Sequence, residues 1–334
     1  MSTPTSECNS AGRVSRCQRD CRRFESGHSL HFFCLFSVKQ LLLLLEYHTF
    51  HSYILSNSKY GDLMIMKKLF LGLVGAMLFG TVFAGDVWIE CSEKNFKGHL
   101  QGIAADESGI YWSFYDTLLK TDYYGKKLAL FPRISHMGDL CVVNGKVYVA
   151  LTIYGPSHIV KHDNWQGWVL VFDAGTLKYL GRHKMAVPAV DGIAFLDGKF
   201  YVGVAAEREL HPLNKVLVYD KEFKFLKELT LDIGQKTFYG AQTINPFGSR
   251  LLFSFYGEKK KKSYIFEPDD LTKIVDTFPV RTSYGMAAVP KSIAGAENVF
   301  LIAHNTGKAR SWSARLKVVQ LIDGKLQPFK LPLK

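Results

Sequence analysis

The stretches that decide the fold are VLVFDA (residues 169–174), VLVYDK (216–221) and SYIFEP (263–268). Each is a short apolar run that ends in an aromatic residue and an acid. The three acids, Asp173, Asp220 and Glu267, are spaced 47 residues apart. Two weaker copies, LLKTDY (118–123) and VVQLID (318–323), bring the number of copies to five. A fixed period of this length is typical of a chain built from repeated copies of one supersecondary unit.

A glycine motif runs in phase with these acids. Each unit opens with a glycine that follows one or two polar or aromatic residues, and these are Gly102, Gly138, Gly192, Gly240 and Gly285. A turn and a β-rich run follow, and the turns are Ser108-Gly109, Asn144-Gly145, Asp197-Gly198, Phe247-Gly248 and Gly295-Ala296. Glycine and asparagine tolerate positive φ, so such pairs between β-rich runs favour hairpins. One unit is therefore predicted to contain four short antiparallel strands.

Five such units predict an all-β fold, a β-propeller of five four-stranded blades, with six blades as the alternative. A β-sandwich also contains many short strands, but the 47-residue phase argues against it. We expect the glycines on the innermost strands, where a side chain would clash near the crowded axis. The strand-like DVWIEC (86–91) is expected to complete the last blade and close the ring.

A secretory signal is predicted at residues 66–84. Lys67 and Lys68 provide the basic start, an uncharged apolar run follows, and Ala84 precedes the expected cleavage site. A buried core helix is the alternative for this stretch.

Residues 85–334 then form the propeller domain. Residues 1–65 are interpreted either as the result of a start codon assigned too far upstream or as a disordered segment. A membrane segment at residues 30–45 is a further alternative. The protein is predicted to be periplasmic or secreted and to meet the membrane only during export.

Composition limits the partners of residues 85–334, which hold 33 Lys and Arg against 25 Asp and Glu. Apart from Lys259–Lys262 the charges are scattered, whereas a nucleic-acid reader concentrates them on one face. We therefore expect no nucleic-acid partner, and we expect a monomer. Cys91 and Cys141 follow the predicted cleavage site, and both a disulfide and two buried free thiols remain open.

In a propeller, inner strands begin and second strands end on the same face, around the channel mouth. We therefore predict a ligand-binding set on that face, made up of His99, Gln101, His136, Asp139, Tyr154, Asp191, Arg208, Tyr239, Tyr256, Tyr284 and His304. Tyr115 falls at the same place. Long segments at 152–168 and 206–214 also lie on this face, and long loops on a rigid scaffold often carry binding sites. The expected ligand is a small molecule, a glycan or a protein.

Several of these residues also suggest chemistry. Asp191, Glu207 and His136 are catalytic candidates for acid–base work, with loop anchoring and ion pairing as the alternative. His99, His136 and His304 can form a three-imidazole metal site, although no short His spacing supports it and backbone hydrogen bonding is the alternative. No cofactor is predicted, and a divalent metal remains an option. Tyr154, Trp165 and Trp168 can stack on sugar rings or pack at blade edges.

Residues 85–334 contain no nucleophile elbow, phosphate loop or dinucleotide-binding glycine set. The absence of these motifs weakens the case for several enzyme classes. The sequence therefore favours a binding protein, with a propeller enzyme using the same face as the second hypothesis.

The segments HLQGIAAD (99–106), HMGDLCVVNGKVYVAL (136–151) and VLVFDAGTLKYL (169–180) carry a family resemblance. They resemble secreted bacterial propellers of the broad NHL/gluconolactonase-like kind, over residues 98–330. The gluconolactonase likeness implies a channel-mouth metal held by Glu, Asn and Asp, but no residues here match that set. The Q-G-I and Y-W-S motifs are also similar to bacterial-type glutaminyl cyclotransferases, although His99 and Leu100 depart from that pattern. For the enzyme hypothesis, these resemblances imply a hydrolase, lactonase or cyclotransferase.

Overall fold

A computed structural model describes residues 85–132, 136–154, 165–205, 214–256 and 261–333. In these ranges the chain forms 21 strands and one short helix, and the strands pair into five antiparallel sheets. Each sheet is one blade, and four consecutive strands run outward from the axis in blades 1 to 4. The predicted five-bladed β-propeller is confirmed.

The strands of the first four blades follow the chain in order. Blade 1 contains β2 (Leu100–Asp106), β3 (Gly109–Phe114), β4 (Thr117–Thr121) and β5 (Lys127–Pro132). Blade 2 contains β6 (Met137–Val143), β7 (Lys146–Ile153), β8 (Gln166–Asp173) and β9 (Tyr179–Lys184). Blade 3 contains β10 (Val190–Leu196), β11 (Lys199–Val204), β12 (Asn214–Asp220) and β13 (Phe225–Leu231). Blade 4 contains β14 (Phe238–Phe247), β15 (Arg250–Tyr256), β16 (Ser263–Phe266) and β17 (Asp276–Phe278).

Blade 5 is assembled from both ends of the described chain. Its inner strands are β18 (Met286–Ala288), β19 (Val299–Lys308) and β20 (Ser311–Ile322). The N-terminal strand β1 (Val87–Glu90) pairs with residues 315–318 of β20, and β21 (Lys325–Pro328) pairs with residues 319–322. The outer position of blade 5 is therefore shared by two strands. The predicted ring closure by the segment after residue 85 is confirmed.

The hydrophobic core lies between blades. Five apolar clusters are present in the described residues, one at each junction between neighbouring blades. At the junction of blades 5 and 1, Trp112 and Phe114 pack with Leu301 and Leu316. Burying one such side chain stabilises the fold by roughly 1.5–3 kcal/mol. Because every blade needs both neighbours to cover its faces, the ring is the smallest unit that buries all of them.

The tight turns follow the expected chemistry at two sites and differ at a third. Asn144-Gly145 and Asp197-Gly198 adopt positive φ at both residues, as a two-residue hairpin with a type I′ turn requires. The predicted hairpin turn at Gly295-Ala296 is wrong. Helix α1 (Lys291–Ala294) lies between β18 and β19, and Gly295, with a φ of 68°, ends that helix. A left-handed glycine suits a helix end as well as a hairpin, so sequence does not separate the two.

Two of the three repeated acids hold the turns that follow the third strands, whereas the Glu267 carboxylate accepts a hydrogen bond from Nε of Arg250 at 2.7 Å. The Asp173 carboxylate accepts hydrogen bonds from the backbone N and the hydroxyl of Thr176, at 2.8 and 2.7 Å. The Asp220 carboxylate accepts from the backbone N atoms of Glu222 and Lys224, at 3.0 and 2.8 Å. The 47-residue spacing therefore comes from a turn repeated in consecutive blades.

Cys91 and Cys141 are both free and buried. Of the two alternatives left open by the sequence, the structure shows the free thiols. None of the helices in the described ranges reaches the length and apolarity that a membrane crossing needs.

Candidate functional site

The strand ladders define which inner-strand residues lie at the same level of the axis. In blades 1 to 4 we take the residue three positions before the acid of the repeat and follow its ladder partners inward to the first strand of the blade. The inner-strand residues reached in this way are Ile103, Leu140, Ile193 and Ile244. The residues just before these are Gly102, Asp139, Gly192 and Thr243. One step earlier lie Gln101, Gly138, Asp191 and Gln242. Gly138 thus lies one residue earlier, and Gly240 three residues earlier, than the glycines of blades 1 and 3 in this alignment. All four inner strands have a register shift just before the reference residue, and β14 has a second one before Ala241.

The glycines nevertheless lie where blades crowd together, as predicted. A Cβ added to Gly138 would lie 2.6 Å from the Asp191 carbonyl oxygen in the next blade. A Cβ on Gly285 would lie 2.5 Å from the backbone N of Ile103, and one on Gly192 would lie 3.0 Å from the Ala241 carbonyl oxygen. Inner strands of neighbouring blades therefore approach too closely for a side chain at these positions.

Asp139 occupies the level at which blades 1 and 3 have glycine. Its side chain is fully buried. Its Oδ2 accepts hydrogen bonds from the backbone N of Ile244 in blade 4 at 2.9 Å and of Ile193 in blade 3 at 3.4 Å. Its Oδ1 faces Gly102 of blade 1. A single carboxyl group from blade 2 thus contacts the inner strands of three other blades and fills the axis at this level.

Asp191 lies one level nearer the mouth and is only 3% exposed. Its Oδ2 accepts a hydrogen bond from Nε2 of Gln242 in the next blade, at 2.9 Å. Burial raises the pKa of Asp191 to about 8, and it raises the pKa of Asp139 well above its usual range, with the charge of Asp191 adding to the effect. In the described part of the chain, Oδ1 of neither acid has a hydrogen-bond partner. Asp191 is therefore mostly protonated at pH 7.

Aromatic side chains from blades 1, 2, 4 and 5 lie at the end of the axis above these acids. We call this set the mouth cluster, and its members are His99, Tyr115, His136, Tyr154, Trp165, Tyr239, Tyr256 and Tyr284. All eight are partly exposed. They form two chains of ring contacts, Trp165–Tyr154–His136–Tyr115 and His99–Tyr284–Tyr256–Tyr239, with centroid distances of 4.6 to 6.5 Å. A backbone hydrogen bond of 3.0 Å from Tyr115 N to His99 O joins the two chains.

His136 is held at both ring nitrogens. The Gln101 amide nitrogen lies 3.2 Å from Nε2, and the Tyr154 hydroxyl lies 2.9 Å from Nδ1. Burial lowers the pKa of His136 to about 3, and the neighbouring His99 contributes to the shift. The ring is therefore neutral. An amide nitrogen can only donate, so Nε2 accepts and Nδ1 donates to the phenol oxygen.

His99 is also neutral and oriented. Its Nδ1 lies 2.9 Å from the carbonyl oxygen of Leu100, and burial lowers its pKa. Because a carbonyl can only accept, Nδ1 carries the proton and Nε2 keeps its lone pair.

His304 is directed elsewhere. It is exposed, lies 5.0 Å from the ring of Trp88, and is paired with Arg315 in the ladder. Successive strand residues point to opposite faces, and it is the next residue, Asn305, that turns towards blade 1 and accepts from Leu100 N at 2.8 Å. The structure therefore does not bring the three candidate metal-binding histidines together. No group of three or more His, Cys, Asp or Glu side chains suited to a metal is found where the chain is described.

The other predicted site residues fall into three places. Gln101 is 4% exposed and, with Asp139 and Asp191, lies beneath the mouth cluster. Trp168 packs against the Arg182 guanidinium, 4.1 Å from the ring centroid, and so lies at a blade edge. Glu207 and Arg208 lie outside the described residues.

Gln242 is a channel residue that the glycine motif missed. It lies two residues after Gly240, so an alignment on the glycines places it beside Ala104 and Ala194. The strand ladders instead place it level with Gln101 and Asp191.

Comparisons with known proteins add no assignment of activity. No protein-family model and no curated protein matches the chain. Among solved structures, it is similar to Myxococcus xanthus glutaminyl cyclase, with 11% identity and a TM-score of 0.48 over 70% of this chain and 96% of that one. It is also similar to a protein of unknown function from Bacteroides caccae, with 14% identity and a TM-score of 0.36 over 63% and 68% of the two chains. The propeller assignment rests on the five sheets themselves.

Proposed function

We propose that this protein is an exported binding protein that holds a small organic molecule at the channel mouth. The mouth cluster supports this proposal, because eight partly exposed aromatic side chains from four blades gather around one end of the axis. Ligand sites are typically lined by aromatic side chains with a few oriented polar groups. Here the oriented groups are the imidazoles of His99 and His136 and the hydroxyl of Tyr154.

The scaffold favours binding without a large ordering cost. The members of the mouth cluster lie at strand ends or next to them, and Asp139 ties the inner strands of four blades together below them. Rings that are already positioned lose little conformational freedom when a ligand arrives. Tyrosine and tryptophan also offer large contact areas with few rotatable bonds.

A thermal-shift screen of residues 85–334 tests the proposal. This part contains all five blades and the closing strand β1, so it can be produced alone. Sugars, lactones, amines and divalent ions are screened, since a ligand that prefers the native state raises the melting temperature. We expect at least one organic ligand whose shift is lost in Tyr256→Ala. Tyr179→Ala, which removes an exposed tyrosine from β9, should leave the shift intact. A screen without shifts, or shifts that survive Tyr256→Ala, would refute the proposal.

The export part of the proposal rests on residues 66–84 alone. Expression of the full chain in a bacterial host, followed by N-terminal sequencing of the periplasmic protein, tests it. We expect the sequence to start at Gly85, whereas a protein retained in the cytoplasm with residues 66–84 intact would contradict it.

A propeller enzyme with its site on the same face is the second candidate. The observation in its favour is Asp191, a carboxyl group that stays protonated near neutral pH because it is buried beneath the mouth cluster. Such a group can act as a general acid. If it does, Asp191→Asn should abolish turnover of any hydrolase, lactonase or cyclotransferase substrate found for the protein, while ligand binding persists. Unchanged turnover would remove Asp191 from the reaction.

A further inference from the structure

The rings of the mouth cluster face one another at steep angles. The interplanar angle is 77° between Tyr154 and Trp165, 90° between Tyr239 and Tyr256, and 68° between His99 and Tyr284. Tyr115–His136 and Tyr256–Tyr284 are tilted at 45° and 58°, and His136–Tyr154, at 23°, is close to parallel. Rings in this arrangement act as walls that face different directions, rather than as one flat platform on which a sugar would lie.

The other polar groups described beneath the rings, His99, Asp139 and Asp191, carry no positive charge. His99 is neutral and keeps a lone pair on Nε2. Beneath it, Asp139 and Asp191 are almost completely buried, and neither forms an ion pair within the described ranges. Each keeps one carboxyl oxygen without a hydrogen-bond partner there. Aromatic faces add a negative quadrupole to this end of the channel.

We propose that the mouth cluster binds a small organic cation, an alkylated or quaternary ammonium group, with the aromatic walls around the cation and the buried acids beneath it. This inference rests on the proposed function and names its ligand class. A cation is attracted to several ring faces at once, and such aromatic cages bind quaternary ammonium groups. A neutral ligand of the same shape gains only the apolar contact.

Isothermal titration with a matched pair of probes tests the inference on residues 85–334. The probes are choline and 3,3-dimethylbutan-1-ol, in which carbon replaces the charged nitrogen, and methyl glucoside is the sugar probe. We expect choline to bind at least about tenfold more tightly than its neutral isostere, which corresponds to about 1.4 kcal/mol and lies within the range for partly desolvated cation–π contacts.

Two variants link the binding to the rings. Tyr256→Leu keeps apolar bulk but removes the aromatic face, and it should weaken choline binding at least about fivefold, because each cation–π contact contributes about 1 kcal/mol. Tyr256→Phe keeps the face and should bind within about twofold of the wild type. Tyr179→Leu, on the outer strand β9, is the surface control and should not change the affinity. A melting temperature close to that of the wild type confirms that each variant is folded.

The outcomes separate this inference from the proposed function. Equal affinity for choline and its isostere would overturn the cation inference, as would binding of methyl glucoside without choline, and both results would leave a small-molecule site in place. No binding of choline at millimolar concentration would also overturn it, while the wider screen decides whether the mouth binds any other ligand.

Discussion

Replacing Asp191 with asparagine should remove a pH-dependent loss of stability. In the unfolded chain this carboxyl ionises near its ordinary pKa of 3.8, whereas burial raises its pKa in the native protein to about 8. Between these values the unfolded state holds fewer protons than the native state, so the wild type loses stability as pH rises. One pKa unit corresponds to about 1.4 kcal/mol, and the native carboxyl is half ionised at about pH 8, so the loss between pH 5 and pH 8 comes to about 3.6 kcal/mol.

The asparagine variant isolates this term because it keeps the shape of the side chain. Its amide oxygen can still accept the hydrogen bond from Gln242. Its NH₂ group replaces an oxygen that faces Gly138, and an unpaired buried donor costs about 1–3 kcal/mol at every pH. The variant therefore has a constant offset but lacks the pH-dependent loss. The measured quantity is the unfolding free energy of the variant minus that of the wild type.

Urea unfolding followed by tryptophan fluorescence at pH 5, 6, 7 and 8 measures this difference. We expect it to rise by about 3.6 kcal/mol across the series. The series stops at pH 8, because the charge of Asp191 then begins to act on Asp139. Most other groups titrate in the same way in both proteins, so their contributions cancel in this difference of unfolding free energies. A difference that stays flat within about 1 kcal/mol, less than one pKa unit, would show that Asp191 is already ionised in the native protein at pH 5.

Three further outcomes are expected. Gly138→Ala should lower the unfolding free energy by about 2 kcal/mol or more in urea, because its Cβ would meet the next blade, whereas Gly181→Ala, with open space around it, should stay within about 0.5 kcal/mol. Cys91 and Cys141 should react with a thiol reagent only after unfolding, since burial raises the pKa of both thiols, that of Cys91 to about 12. A chain that begins at residue 92 lacks β1, so it should unfold at lower urea concentration; an unchanged midpoint would contradict the role of β1 in ring closure.

The candidate site was partly predictable, because strand ends recur with the repeat. His136, Tyr154 and Tyr256 were expected at the mouth from their places in the units, and the structure puts them in the mouth cluster. His304 was expected there for the same reason. The His304 side chain points away from the mouth because adjacent strand residues face opposite sides of the sheet. An error of one residue in the predicted strand position therefore places a side chain on the wrong side.

Three features were predictable from local sequence patterns: the number of blades, the turns that Asp173 and Asp220 close, and the use of the segment after residue 85 to complete the ring. These features come from local patterns, namely a fixed spacing of acids and apolar runs of strand length. Which inner-strand residues share a level could be read only from the paired blades. All four inner strands bulge just before this level, and β14 bulges a second time, which displaces Gly240. Within the bulge of blade 2 the glycine precedes the acid, so Asp139 reaches the axis at a level where blades 1 and 3 have glycine. A bulge depends on how the ladder pairs across strands, and that pairing forms only when the blades close around a common axis.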